Sequence, residues 1–208
     1  MKHKYPRTYH FDFSLDVSSD DKILSNVDNF IGKEVVVTEK MDGENSNIYC
    51  DYFHPRSITD DGHPSRSWLK GYIANFQYKI PKGWRICGEN LYAKHSIYYT
   101  ELENYFYAFS IWNDENICLS WDHTVEFCEK LNITAVPVLY QGQFDYELVK
   151  ELFLNQDHYQ HEGIVCRLAD SFHYDDFAIS VGKAVRKDHV RSDEHWKNNW
   201  VKNKLKIG

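Results

Sequence analysis

Val35-Val36-Val37-Thr38-Glu39-Lys40-Met41-Asp42-Gly43-Glu44-Asn45 is the stretch on which the fold turns. Its β-branched run reads as a strand. That strand delivers a lysine to the start of a tight, glycine-containing turn with carboxylates on either side. Surface charge needs neither a strand behind it nor a glycine after it. An amine so placed is a candidate nucleophile, provided its free pKa of about 10.4 is brought toward neutrality. Taken alone, Asp42-Gly43 also reads as a type I′ hairpin turn. The rest of the chain has to decide.

At 208 residues with 42% apolar and 16% aromatic side chains, the chain can bury a real core and fits one domain. No apolar run approaches the roughly 20 residues of a membrane span. The basic start Met1-Lys2-His3-Lys4-Tyr5-Pro6-Arg7 leads into no apolar signal region. Cysteines 50, 87, 118, 128 and 166 are scattered and show no Cys-x-x-Cys spacing, so buried reduced thiols in a cytoplasmic protein are expected. A net charge of −7 speaks against nonspecific coating of nucleic acid but leaves room for a local basic groove. Cations do gather in 183–205, as Lys183, Arg186, Lys187, Arg191, Lys197, Lys202 and Lys204.

No repeat, low-complexity tract or linker divides the chain. Strands are expected at 34–39, 45–52, 84–92, 105–112, 135–140, 162–169 and 177–187, from their Val, Ile, Tyr, Phe and Trp content. Helices are expected at 66–79, at 121–131 behind Ser120 as N-cap, and at 145–154 opening on Asp145. Strands that outnumber helices in mixed order imply an α+β fold with largely antiparallel sheets. The histidines at 158, 161, 189 and 195 lack matching cysteine or carboxylate spacing for a metal, so solvated or packing roles are expected. No Gly-x-x-x-x-Gly-Lys-Ser/Thr loop exists, so P-loop phosphate chemistry has no support.

Four further segments bear on the lysine. In Gly88-Glu89-Asn90-Leu91-Tyr92 polar groups interrupt a strand-like run. Tyr105-Phe106-Tyr107-Ala108-Phe109-Ser110 is aromatic, Glu162-Gly163-Ile164-Val165 opens a β-branched strand on a carboxylate, and Gly182-Lys183-Ala184-Val185-Arg186-Lys187 is studded with cations. With Lys40-x-Asp42-Gly43-x-Asn45, their order and spacing resemble motifs I, III, IIIa, IV and V of the covalent nucleotidyltransferases. His54-Pro55-Arg56-Ser57 falls where motif Ia belongs. Each alone is a weak signal, but five in order over nearly the whole chain is a strong one. Glu39 before the lysine and Asn45 after it resemble the ATP-dependent RNA ligases, in the branch related to phage RNA ligase 2. The stretches Tyr5-Pro6-Arg7-Thr8 and Val136-Pro137-Val138-Leu139-Tyr140 look like connecting segments of that branch.

That resemblance implies an α+β adenylyltransferase domain, ATP-grasp-like, of two packed antiparallel sheets with flanking helices. It spans 1–208 with no OB-fold or other C-terminal domain expected. It implies ATP as AMP donor, Mg²⁺ or Mn²⁺, and RNA with 5′-phosphate and 3′-hydroxyl ends joined through a lysyl-AMP on Lys40. Glu89 would hold the ribose, Phe109 would stack on adenine, Glu39 would read its amino group and Arg56 would take the 5′-phosphate. Asn45 completes motif I. Asp42 and Glu162 would ligate the metal, while Lys183 and Lys187 would meet the phosphates and lower the pKa of Lys40. Lys183 and Lys187 share a strand face if the strand runs on, with Arg186 facing away. This departs from the usual Lys-x-Lys and leaves the working pair open. Two rival readings remain: a small DNA or hybrid nick ligase, and a non-catalytic nucleic-acid end-binding module. Substrate grip could also come from a partner protein.

Overall fold

The computed structural model describes residues 2–58, 62–187 and 200–207. Two sheets form its frame. One has β1 (Tyr9–His10), β11 (Val181–Val185), β9 (Gly163–Leu168), β2 (Glu34–Glu39) and β8 (Val138–Gln143), in that spatial order. The other has β10 (Phe172–His173), β7 (Ile117–Cys118), β6 (Phe106–Trp112), β5 (Arg85–Asn90), β3 (Glu44–Ile48) and β4 (Phe53–Pro55). All pairings between these strands are antiparallel except β1 with β11. The α+β architecture of two packed sheets is therefore as expected. No helix among the described residues is long and apolar enough to cross a membrane.

Helices cover the outer faces. α1 (Ser67–Ile73) and α2 (Trp121–Leu131) pack Leu69, Ile73 and Cys128 on Ile48, Ile86, Phe106 and Ile111. α3 (Tyr146–Leu154) sets Val149 and Phe153 in the core with Val35, Val37, Ile164 and Cys166. Ser120 and Asp145 are the N-caps, their side chains accepting from the His123 and Leu148 amides. All five cysteines are free; four are buried and Cys50 is half-buried.

Four elements depart from the sequence reading, the first being the strand expected at 45–52, which is β3 and ends at Ile48. The 66–79 segment breaks after Ile73, and Asn75 donates its amide to the Gly71 and Tyr72 carbonyls, competing with the next turn of helix. A short helical turn at Gln77–Lys79 follows. The strand expected at 135–140 runs from Val138 to Gln143 instead. Residues ahead of Pro137 pair with β6 through Ala108, so the chain passes from one sheet to the other at the proline. The strand expected at 177–187 begins as the helical turn α4 (Phe177–Ser180) and is β11 only from Val181 to Val185. Asp42-Gly43 is not a hairpin turn, because β2 and β3 belong to different sheets.

Candidate active site

Lys40 stands one residue beyond β2, and its own amide donates to the Gly163 carbonyl at the start of β9 (2.9 Å). Gly163 has a φ of 154°, and a side chain there would run into the Ala184 carbonyl. Glu162, just before it, thus lies beside the lysine, and Lys40 Nζ donates to Glu162 Oε2 at 2.6 Å. Gly43 is needed for close approach: a Cβ there would lie 2.5 Å from the Asn90 carbonyl oxygen. That approach lets the Gly43 amide donate to Glu89 Oε1 (3.2 Å).

The two sheets enclose a cavity of about 260 Å³. Glu39, Lys40, Asn45, Arg56, Glu89, Phe109 and Lys183 all line it, so seven of the residues singled out from sequence converge. Phe109 gets there through an irregularity in β6. Cys87 pairs with Ser110 and Gly88 with Ala108, which leaves Phe109 as the extra residue of a β-bulge. Bulges re-aim side chains in this way. Tyr5 packs edge-on against the Phe109 ring, centroids 5.2 Å apart. Asn45 Oδ1 accepts from Asn47 (3.0 Å), and Arg56 Nε donates to the Tyr5 carbonyl (3.3 Å). Glu39 Oε1 lies 2.8 Å from His161 Nδ1, so this histidine has a specific partner.

Cations outnumber carboxylates on the cavity wall, Arg7, Lys40, Arg56, Arg167 and Lys183 against Asp21, Glu39 and Glu89. Burial alone would push the Lys40 amine down. Glu162, Glu89 and Asp42 outweigh it, and the net shift is upward. Cations were expected to lower this pKa; the carboxylates dominate because one of them touches the amine. Lys183 moves the other way, since burial and then Lys40 push it down to about 8. Burial pushes Glu89 up to about 8.

Asp42, Glu162 and Lys187 are not among the residues lining the cavity. Glu162 lies beneath Lys40. Asp42 Oδ2 accepts from the Ser96 amide (2.7 Å), the Ser96 hydroxyl (2.8 Å) and the Ile97 amide (2.6 Å). It therefore anchors the 96–97 loop. Among the described residues no group of three or more His, Cys, Asp or Glu side chains is disposed to hold a metal ion. Lys187 is exposed in a turn beyond β11. The even-spacing argument fails there because the strand ends at Val185. Arg186 is the more enclosed of the two, half-buried with Nη2 donating to Ser96 Oγ (3.0 Å). Arg191, Lys197, His189 and His195 lie outside the described residues.

Several lining residues were not singled out from sequence. Tyr5, Pro6, Arg7 and Thr8 form part of the wall, although only their likeness to a connecting segment had marked them. Thr38, Val136, Val165 and Arg167 also line it. Strand alternation marks residues as sharing a face, but a single strand does not say which face has a cavity above it.

A family model described as RNA ligase matches residues 33–185. No curated protein matches the chain in sequence. Among solved structures, a mutant RNA ligase of Naegleria gruberi with ATP and manganese is 16% identical. That match covers 87% of this chain and 61% of the other at a TM-score of 0.56. An archaeal ATP-dependent RNA ligase is 14% identical over 88% of this chain and 48% of its own, with a TM-score of 0.59. The chain thus spans roughly half to three fifths of these relatives.

Proposed function

The chain belongs to the RNA ligase family, and from that premise we propose that it is an ATP-dependent RNA ligase acting through a lysyl-AMP on Lys40. The observation that carries the reading is the 2.6 Å contact of Lys40 with Glu162, at the wall of a cavity that Glu89, Lys183 and Phe109 also line.

In the first step Lys40 Nζ attacks the ATP α-phosphorus. A P–N bond forms, the α–β bridging P–O bond breaks and pyrophosphate leaves. Lys40 must be neutral to attack, and Glu162 is the carboxylate within reach of its proton. Lys183 offers positive charge to the phosphates from the neighbouring strand. Phe109 and Val165, on facing sheets, suit a flat base between them. Glu39, steadied by His161, accepts from the adenine amino group. Glu89 is assigned to the ribose and Asn45 to the nucleotide side of motif I. A divalent cation would supply further charge neutralisation for the phosphates. Of the two carboxylates expected to hold it, Glu162 stands beside Lys40 and is kept for it, whereas Asp42 is already committed to the Ser96 and Ile97 donors; so few protein ligands suit an ion held mostly by water and phosphate oxygens. In the second step a 5′-phosphate, met by Arg56, attacks the lysyl-AMP phosphorus. The P–N bond breaks and a 5′-5′ adenylylated end forms. In the third a 3′-hydroxyl attacks that end, and AMP leaves.

Incubation with Mg²⁺ and α-labelled ATP should leave label on the denatured protein. Lys40→Ala should remove it, and Lys40→Arg should not restore it, because arginine stays protonated. Label persisting in Lys40→Ala moves the nucleophile elsewhere. GTP in place of ATP should label poorly, since guanine presents a carbonyl oxygen to Glu39. Equal labelling would remove that role.

A further inference from the structure

Arg167 is 5% exposed and lines the same cavity as Lys40. Its Nε donates to the Leu168 carbonyl (3.0 Å) and its Nη2 to the Leu119 carbonyl (2.7 Å). The rings of Trp121 and Phe172 lie near the guanidinium, their centroids 5.9 and 5.3 Å from it. No carboxylate pairs with it among the described residues. Nη1 is buried and makes no hydrogen bond. A guanidinium is donor-only, and a buried donor without an acceptor is costly. Two carbonyls and two rings hold this one still, with one nitrogen unspent beside a cavity.

Its place in the sheet says what could meet it. Val165 sits between Thr38 and Lys183, while Arg167, two residues on, sits between Val36 and Val181. At about 3.3 Å per residue it stands about 6.6 Å deeper than Val165, on the side away from Lys40. Lys40 stands at one end, Phe109 and Val165 form the flat-sided middle with Lys183 beside Val165, and Arg167 lies toward the inner end. A nucleotide with its phosphates on the lysines points its base at Arg167.

We propose that Arg167 is a specificity-determining residue whose Nη1 donates to a ring nitrogen of the purine. This rests on the nucleotide reading above. It complements Glu39: a carboxylate takes the amino group, which cannot accept, and a guanidinium takes a ring nitrogen, which can.

The test is equilibrium binding of ATP and three deaza analogues, each lacking one ring nitrogen, to the wild-type protein. One analogue should bind about 10- to 100-fold more weakly, the range for a hydrogen bond to a charged group. Arg167→Met should weaken ATP by a similar factor and bind that analogue and ATP alike. In adenylylation the loss should appear in KM, with kcat changed by less than about threefold. Three analogues binding as ATP does, or a penalty that survives in Arg167→Met, overturns the proposal. If Arg167→Met does not fold, Arg167→Gln takes its place in the same comparison, and three analogues binding wild type as ATP does still overturns the proposal. Failure of the ligase reading looks different: label is absent whatever the binding pattern.

Discussion

Glu89 and Lys183 face the cavity from opposite sheets, and burial moves both toward the same pH, the carboxyl up to about 8 and the amine down to about 8. Each shift records a charge that folding disfavours, so each has a sign in stability. Glu89 ionises at about 4.5 when unfolded and about 8 when folded. Between those values the unfolded state has lost a proton that the folded state keeps, so stability falls as pH rises. Above 8 nothing further changes. Lys183 runs from about 8 folded to 10.5 unfolded. Its charge costs stability below 8, and that cost is relieved as pH climbs to 10.5. Urea unfolding should therefore show Glu89→Gln gaining on wild type from pH 5 to 8, at no more than about 1.4 kcal/mol per pH unit. Solvent reaching the cavity wall will make the slope smaller. Lys183→Met should lose its advantage between pH 8 and 10. Differences that do not vary with pH would mean that neither group is held as the cavity implies.

β11 is short, and its length decides which cation beyond Lys183 packs beside the site and which leaves it. Arg186 leaves the strand with its amide on the Glu162 carbonyl (2.9 Å) and its side chain on Ser96, the residue that Asp42 anchors. Lys187 extends into solvent. Arg186→Ala should therefore lower labelling by about 10-fold or more, toward the loss of one transition-state donor, and Lys187→Ala by less than about threefold. The reverse order would restore the continuous strand read from sequence. Parts of the frame were legible because local signals agreed with the tertiary result. The Val35-Val36-Val37 run became β2, and Ser120 opened α2 where its cap predicts. The helix break after Ile73 is local, but the misread strand at 135–140 turns on partners far away in sequence. Residues 134–136 join one sheet and 138–143 the other, which no local pattern shows. Phe109 was recognised as a site residue, but the bulge that turns it inward exists only in its pairing with β5. Arg167 was passed over, since an arginine in an alternating strand reads as surface until a second sheet covers it.

The whole molecule carries −7, so at long range it repels the polymer on which the proposed reaction acts. Attraction must then be local. Among the described residues, Arg7, Arg56 and Lys183 line the cavity beside Lys40, and Asp21 is a carboxylate among them. Three phosphate contacts on a single strand give a slope of log K against log salt of about −2, at about 0.7 per contact. Removing Arg56 should flatten that slope by about 0.7. The proposed RNA reading needs a ribonucleotide end to be told from a DNA one, and that discrimination requires contact with a 2′-hydroxyl or with the A-form shape it enforces. Pre-adenylylated strands bypass the first two steps, so they isolate the third. They should be sealed to a 3′ end terminating in ribonucleotides faster than to an all-DNA end, with the salt slope the same for both. Equal rates would remove the RNA assignment while leaving Lys40 and the cavity as they are. A slope far steeper than −2 would place the grip on cations beyond those three.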